Sequence, residues 1–171
     1  EGIVGAKELY GSVASWLNEH SWTRHELIFG IPQDLGTTQL SDFPATSGRN
    51  MDNMVRYETQ QVSGLSDESF LHDYTVLRPA YGRTNPALIC LCKQSMIEER
   101  QAELEEAQIS PADFGLNGLA MANAYLDLYA DAAEPEEPQL LLDIGHTSTT
   151  FVVLIQDSVY YCGSLVFGSE R

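Results

Sequence analysis

Leu140-Leu141-Leu142-Asp143-Ile144-Gly145-His146-Thr147-Ser148-Thr149-Thr150-Phe151-Val152-Val153-Leu154 is an apolar run ending in an acid, a short turn rich in hydroxyls, and a second apolar run. Two buried strands around a tight turn are the simplest reading. Glycine at 145 removes the Cβ that would block close approach, and the turn amides with the Thr147 and Ser148 hydroxyls can donate to phosphate oxygens. Asp143, at the strand end facing the same spot, could hold a hydrated Mg²⁺, which takes few carboxylates and keeps several waters. Gly145, His146, Thr147, Ser148 and Thr149 are thus the candidate phosphate-binding residues, and Asp143 the candidate metal residue acting through water. The imidazole of His146 is assigned no catalytic role. A second reading stands beside this one: Asp143 and Gly145 simply shape a turn, and the threonines fill β positions.

Upstream, Asp131-Ala132-Ala133-Glu134-Pro135-Glu136-Glu137-Pro138 holds two prolines and four acids in eight residues, which reads as an exposed connector and a domain boundary. Beyond it, strands are expected at Gln139–Asp143, Thr149–Gln156 and Ser158–Leu165. Before it, Leu119–Tyr129 is an Ala- and Leu-rich helix, and Ala112–Leu116 a short strand. Further back lies a compact alternation: a strand near Thr37–Phe43, a helix from Met51 to Val62, strands at Phe70–Arg78 and Ala87–Lys93, and a helix over Ser95–Ala107. Pro79–Pro86 has the Pro and Gly content of a hairpin loop. Ser95 with Glu98 three residues on suggests a capping box, and the glutamates of that helix a solvated face. At the start, Ala6, Leu9, Val13, Trp16 and Leu17 recur at helical spacing, followed by a buried strand Leu27–Ile31 ended by Pro32. Trp16 and Trp22 are expected to pack the helix end against a sheet, while Arg56 and Tyr57 face either a partner or a salt bridge and the core.

With 171 residues and 43% hydrophobic content the chain can build a packed core. Its 25 acidic against 9 basic side chains, a formal charge of -16, would repel nucleic acid and anionic lipid, so no nucleic-acid partner is expected. No run reaches the roughly 20 apolar residues of a membrane helix, so no direct membrane span is expected. Cys90, Cys92 and Cys162 cannot form a complete disulfide framework and read as small buried hydrophobes in a reducing, cytoplasmic setting. The chain begins at Glu1 rather than methionine and stops at Gly168-Ser169-Glu170-Arg171 after a strand-like run, from which truncation at both ends is expected.

Four stretches together resemble the PilM family of type IV pilus assembly proteins, relatives of FtsA in the actin-like ATPase superfamily. They are Met54-Val55-Arg56-Tyr57-Glu58-Thr59-Gln60-Gln61, the strand His72-Asp73-Tyr74-Thr75-Val76-Leu77, the hairpin Leu140–Leu154, and Val166-Phe167-Gly168-Ser169. The resemblance implies an α/β, actin-like (ribonuclease H-like) ATPase fold, partial, with an FtsA/PilM-type inserted α+β subdomain. Residues 1–35 would be part of the first lobe, 36–110 the inserted subdomain, 111–138 a return to the first lobe plus the acidic connector, and 139–171 the start of the second lobe. By the same resemblance the hairpin is the second of two phosphate loops, with ATP and Mg bound between lobes in the full-length protein. The implied role is a cytoplasmic scaffold at the inner-membrane platform of a type IV pilus or related type II secretion system. Its partners would be the N-terminal peptide of a PilN-like inner-membrane protein and other platform proteins, through which it is peripheral to the inner membrane. Catalysis is at most slow ATP hydrolysis, since no residue offers itself as a base for water. Departures are Val62-Ser63-Gly64-Leu65-Ser66-Asp67 in place of an Ile-Pro-aromatic-Pro run, and Gly168-Ser169 in place of Gly-Gly. An actin-fold small-molecule kinase and a nucleotide-free secretion adapter are the alternatives.

Overall fold

The computed structural model describes residues 5–45, 49–64, 69–129 and 137–169. The expected connector Asp131–Pro138, apart from Glu137 and Pro138, lies outside them, as does Leu65-Ser66-Asp67. In chain order the elements are α1 (Ala6–Glu19), β1 (Ile28–Ile31), β2 (Gly36–Asp42), α2 (Arg49–Ser63), β3 (Phe70–Val76) and β4 (Pro86–Lys93). There follow α3 (Gln94–Glu106), β5 (Asp113–Leu116), α4 (Asn117–Tyr129), β6 (Gln139–Ile144), β7 (Thr149–Ile155) and β8 (Ser158–Leu165). Among the described residues they form three small sheets, one parallel and two antiparallel.

In the first, β1 and β5 pair in parallel, Ile28 opposite Asp113 through Ile31 opposite Leu116. Such a pair needs a long crossover, and everything from β2 to α3 supplies it. α1 and α3 cover this pair through a cluster of Leu17, Leu104 and Ile109 with Tyr10, Val13, Ala14 and Phe29. Arg100 stitches the two helices, its Nη1 donating to Tyr10 Oη at 2.9 Å and to Glu103 Oε2 at 2.8 Å.

The second sheet has the order β2-β4-β3, antiparallel throughout. Its central strand β4 is buried on both faces, as its unbroken apolar run demands. One face packs on α2, where Met51 and Val55, one turn apart, meet Phe43, Ala87, Ile89 and Leu91. Tyr74 Oη donates to Asp52 at 2.6 Å, tying the first turn of α2 to β3. On the other face Leu88 joins a core shared with α4 and the third sheet.

That third sheet is the meander β6-β7-β8, so the three closing strands are neighbours as expected. Val152, Leu154, Val159 and Cys162 pack on Ala122 of α4. Two ties join this sheet to the second. Thr38 Oγ1 of β2 donates to the Cys162 carbonyl at 2.6 Å. At the strand tips, Arg78 pairs with Asp157 at 2.5 Å and Tyr81 stands edge-on to Tyr160, centroids 6.0 Å apart.

Three local expectations are corrected. α3 starts at Gln94 directly from β4, with Lys93 as N-cap and no side-chain cap, so Ser95 already lies inside the helix and forms no capping box. The stripe that α1 buries is Tyr10, Val13, Ala14 and Leu17, offset from the expected set, so Leu9 and Trp16 face outward. Trp16 and Trp22 accordingly meet edge to face at the surface instead of packing on a sheet. Outside these three, Arg56 and Tyr57 are both exposed.

Candidate functional site

The hairpin loop is held at both ends and from behind. β6 and β7 close on the pair Ile144 and Thr149, and across the loop the Gly145 N–H donates to the Ser148 carbonyl at 3.0 Å. A Cβ on Gly145 would stand 2.9 Å from that carbonyl oxygen, which is why glycine is needed there. The segment after β8 backs the loop: Thr149 Oγ1 donates to the Phe167 carbonyl at 2.6 Å, and the Ser169 N–H to the Gly145 carbonyl at 2.9 Å. Between them, Gly168 lies so close to the His146–Thr147 peptide that any Cβ would overlap the His146 carbonyl.

Exposure sorts the candidate residues. Asp143, His146 and Thr147 are exposed, Gly145 and Ser148 are half-buried, and Thr149 is buried. The Thr149 hydroxyl has its proton committed to Phe167, so donors for an anion would come from the loop amides, Thr147 and Ser148.

Strand alternation decides what Asp143 faces. It pairs with Thr150, and both share the face whose later members, Leu141, Val152 and Leu154, pack against α4. Thr150 reaches the first turn of α4, where a Cβ on Gly118 would lie 3.2 Å from its methyl, 2.8 Å from Gln33 Oε1, and on top of Cys162 Sγ. Gln33, in the short 3₁₀ turn after β1, is 3% exposed, and neither carboxamide atom has a partner among the described residues. Asn117, the first residue of α4, lays its side chain against Gly30 of β1, leaving no room there for a Cβ. The carboxyl ends of β1 and β5, the α4 N-terminus and the hairpin face bearing Asp143 therefore meet in one corner. That is where open parallel α/β units take ligands, and the helix end favours an anion.

A single exposed carboxylate suits a hydrated Mg²⁺ held chiefly by phosphate and water. Among the described residues no group of three His, Cys, Asp or Glu could grip a metal directly. The Cys162 thiol bordering the corner is pushed up to about 12 by burial, with Cys90 adding to the shift, so it stays a neutral packing group. Two cavities, of about 320 and 340 Å³, lie along the seam between the second and third sheets, at Pro79, Ala80, Tyr81 and Gln156, and at Leu88, Arg83 and Tyr160, away from the loop. Gln33, Asn117 and Gly118 were not singled out by sequence for this corner, and Gly168 entered only with the closing stretch of the family resemblance. A glycine beside a helix start and a glutamine after a strand carry no periodic signal.

No protein-family model and no curated protein matches the sequence. Among solved structures, the chain superposes on one from a PilM-PilN type IV pilus biogenesis complex with TM-score 0.70 and 19% identity, over 98% of this chain and 51% of that one. A Bacteroides thetaiotaomicron protein of unknown function with an actin-like ATPase fold gives TM-score 0.48 and 9% identity, over 99% of this chain and 60% of that one. The fold is thus the PilM-type α/β fold that the sequence resemblance implied, and the chain spans about half the length of the PilM-PilN structure it matches.

Proposed function

We propose that this chain is part of a PilM-like assembly scaffold, acting at the inner-membrane platform of a type IV pilus or related type II secretion system. The observation that carries the reading is the match over 98% of the chain to a structure in which PilM is complexed with PilN. In this proposal the chain divides as the resemblance implies: first lobe at 1–35, inserted module at 36–110, return and connector at 111–138, second-lobe start at 139–171. The full-length protein binds ATP, with the loop Gly145, His146, Thr147, Ser148 and Thr149 receiving phosphate oxygens. Asp143 orients the Mg²⁺ through water. The first-lobe and inserted-module surfaces dock the N-terminal peptide of a PilN-like membrane protein, so the scaffold sits in the cytoplasm and reaches the membrane through that partner and other platform proteins. No helix among the described residues is long and apolar enough to cross a membrane.

Asp143→Ala in the full-length protein tests the nucleotide half. Nucleotide affinity in calorimetry should fall by an order of magnitude or so, as expected when about 1.4 kcal/mol of metal-mediated binding is lost. Unchanged affinity together with unchanged peptide capture would remove the phosphate role from the hairpin. Steady-state turnover separates scaffold from kinase: ADP release that accelerates with a small hydroxylated substrate would overturn the scaffold reading.

A further inference from the structure

We infer that the cavity between β2, the loop joining β3 to β4, and β8 is a binding site for a small carboxylic acid with an apolar body. Its volume is about 340 Å³, within the range of small-molecule pockets, and Thr38, Leu40, Arg83, Leu88, Tyr160 and Tyr161 line it. None of the candidate phosphate residues borders it. The inference therefore goes beyond the nucleotide and peptide roles proposed above and depends on neither.

A break in the strand ladder aims Tyr160 at this cavity. Along β8, Tyr161 pairs with Val153 and Val159 pairs with the next residue, Leu154, so Tyr160 is the extra residue of a β-bulge. Val159 and Cys162 stay in the core with α4, while Tyr160 turns to the seam with its ring edge-on to Tyr81. The Tyr160 hydroxyl is buried and has no hydrogen-bond partner among the described residues. A buried donor left in that condition is unfavourable, and a bound acceptor relieves it. Burial raises Tyr160 above its ordinary 10.0, so at neutral pH it keeps the proton it would donate.

The shape of its loop brings Arg83 to the same place. Tyr81 and Gly82 both take left-handed backbone, φ 52° and 77°, and the Arg83 N–H donates to the Ala80 carbonyl at 3.0 Å. Asp42, at the end of β2, clips the loop by accepting from the Thr84 and Asn85 N–H groups at 3.0 and 2.8 Å. Those amides occupy the Asp42 carboxylate, and among the described residues no hydrogen bond or ion pair engages the Arg83 guanidinium. Its positive field reaches Tyr160, where it works against the effect of burial.

This chemistry selects the occupant. A planar guanidinium matches a carboxylate through paired donors, and the phenol adds one more. Leu40 and Leu88 supply an apolar wall for the body of the ligand. Asp42 lies close enough to feel Arg83, so the site offers one cation partly offset by an anion. That balance suits a single negative charge better than a phosphate dianion.

Calorimetric titration with phenylacetate, hexanoate and indole-3-acetate should show saturable binding of at least one, and none of the matched primary amides or of inorganic phosphate. For the acid that binds, Arg83→Gln should weaken affinity roughly tenfold or more, and Tyr160→Phe roughly two- to tenfold. Thermal melts establish that both variants are folded. Without ligand, Tyr160→Phe should be no less stable than the parent, since it deletes a buried hydroxyl that has no partner. Amide shifts on binding should fall at residues 38–40, 83 and 160–162. The inference is overturned if none of the three acids saturates the protein, or if phosphate or an amide binds as tightly as the acid. Unchanged affinity in folded Arg83→Gln, or shifts confined to residues 145–149, would overturn it as well.

Discussion

The β2-β4-β3 sheet and the β6-β7-β8 sheet are written in the same alphabet of apolar runs, yet they end differently. The first is covered on one face by its own helix α2 and on the other by the core shared with α4. Among the described residues the second packs through its α4 face, and Leu140, Leu142, Ile144 and Leu165 on its other face remain more than half exposed. Apolar content thus promises burial, but the number of covered faces depends on what packs against the sheet.

The sharpest way to break this comparison is to cut into the doubly covered strand. Ile89→Ala, at a side chain 1% exposed in the α2 core, should cost about 2–5 kcal/mol in denaturant unfolding. A loss below about 1 kcal/mol would mean the module is not the tightly packed unit described. Gly168→Ala probes what holds the open sheet together at its loop. The added Cβ must displace the backbone at His146 and Thr147, and a cost of about 1–3 kcal/mol is expected, with faster amide exchange at Ser169. If exchange at Ser169 is unaltered, the closing segment does not brace the loop.

A third test uses one thiol from each sheet. Burial raises Cys90 from its ordinary 9.0 to about 11 and Cys162 to about 12. The unfolded thiols ionise first, so stability is unaffected below about pH 9 and falls as pH climbs toward 11. The denaturation midpoint should drop between pH 8 and pH 10, and drop less in the Cys90→Ala/Cys162→Ala variant. Equal drops would place the ionising groups elsewhere. The smallest effect is expected on the open face. Leu142→Ser should change stability by less than about 0.5 kcal/mol, while lowering self-association in sedimentation. A large loss would show that this face is covered after all.

Legibility in the sequence followed the range of the interactions. Every strand and helix expected from periodicity has a counterpart within a few residues, because alternation along β7 or the four-residue step from Met51 to Val55 is a local property. The acid-Gly-hydroxyl hairpin was local too. What escaped depends on neighbours far along the chain. Which of two plausible stripes α1 buries is set by β1, β5 and α3, and it sent Trp16 to the surface. Ser95 looked like a cap because nothing local says that a strand will run straight into a helix. The corner lined by Gln33, Gly118 and Thr150 joins segments more than 30 residues apart along the chain at each step, and only the fold assembles it.

The tips of two hairpins are coupled by one ion pair and one edge-on ring contact, Arg78 to Asp157 and Tyr81 to Tyr160. Exposed pairs of this kind add little to the free energy of folding. Their effect is positional: with the core shared at Leu88 and the Thr38 hydroxyl on the Cys162 carbonyl, they set the turn between β7 and β8 against the loop between β3 and β4.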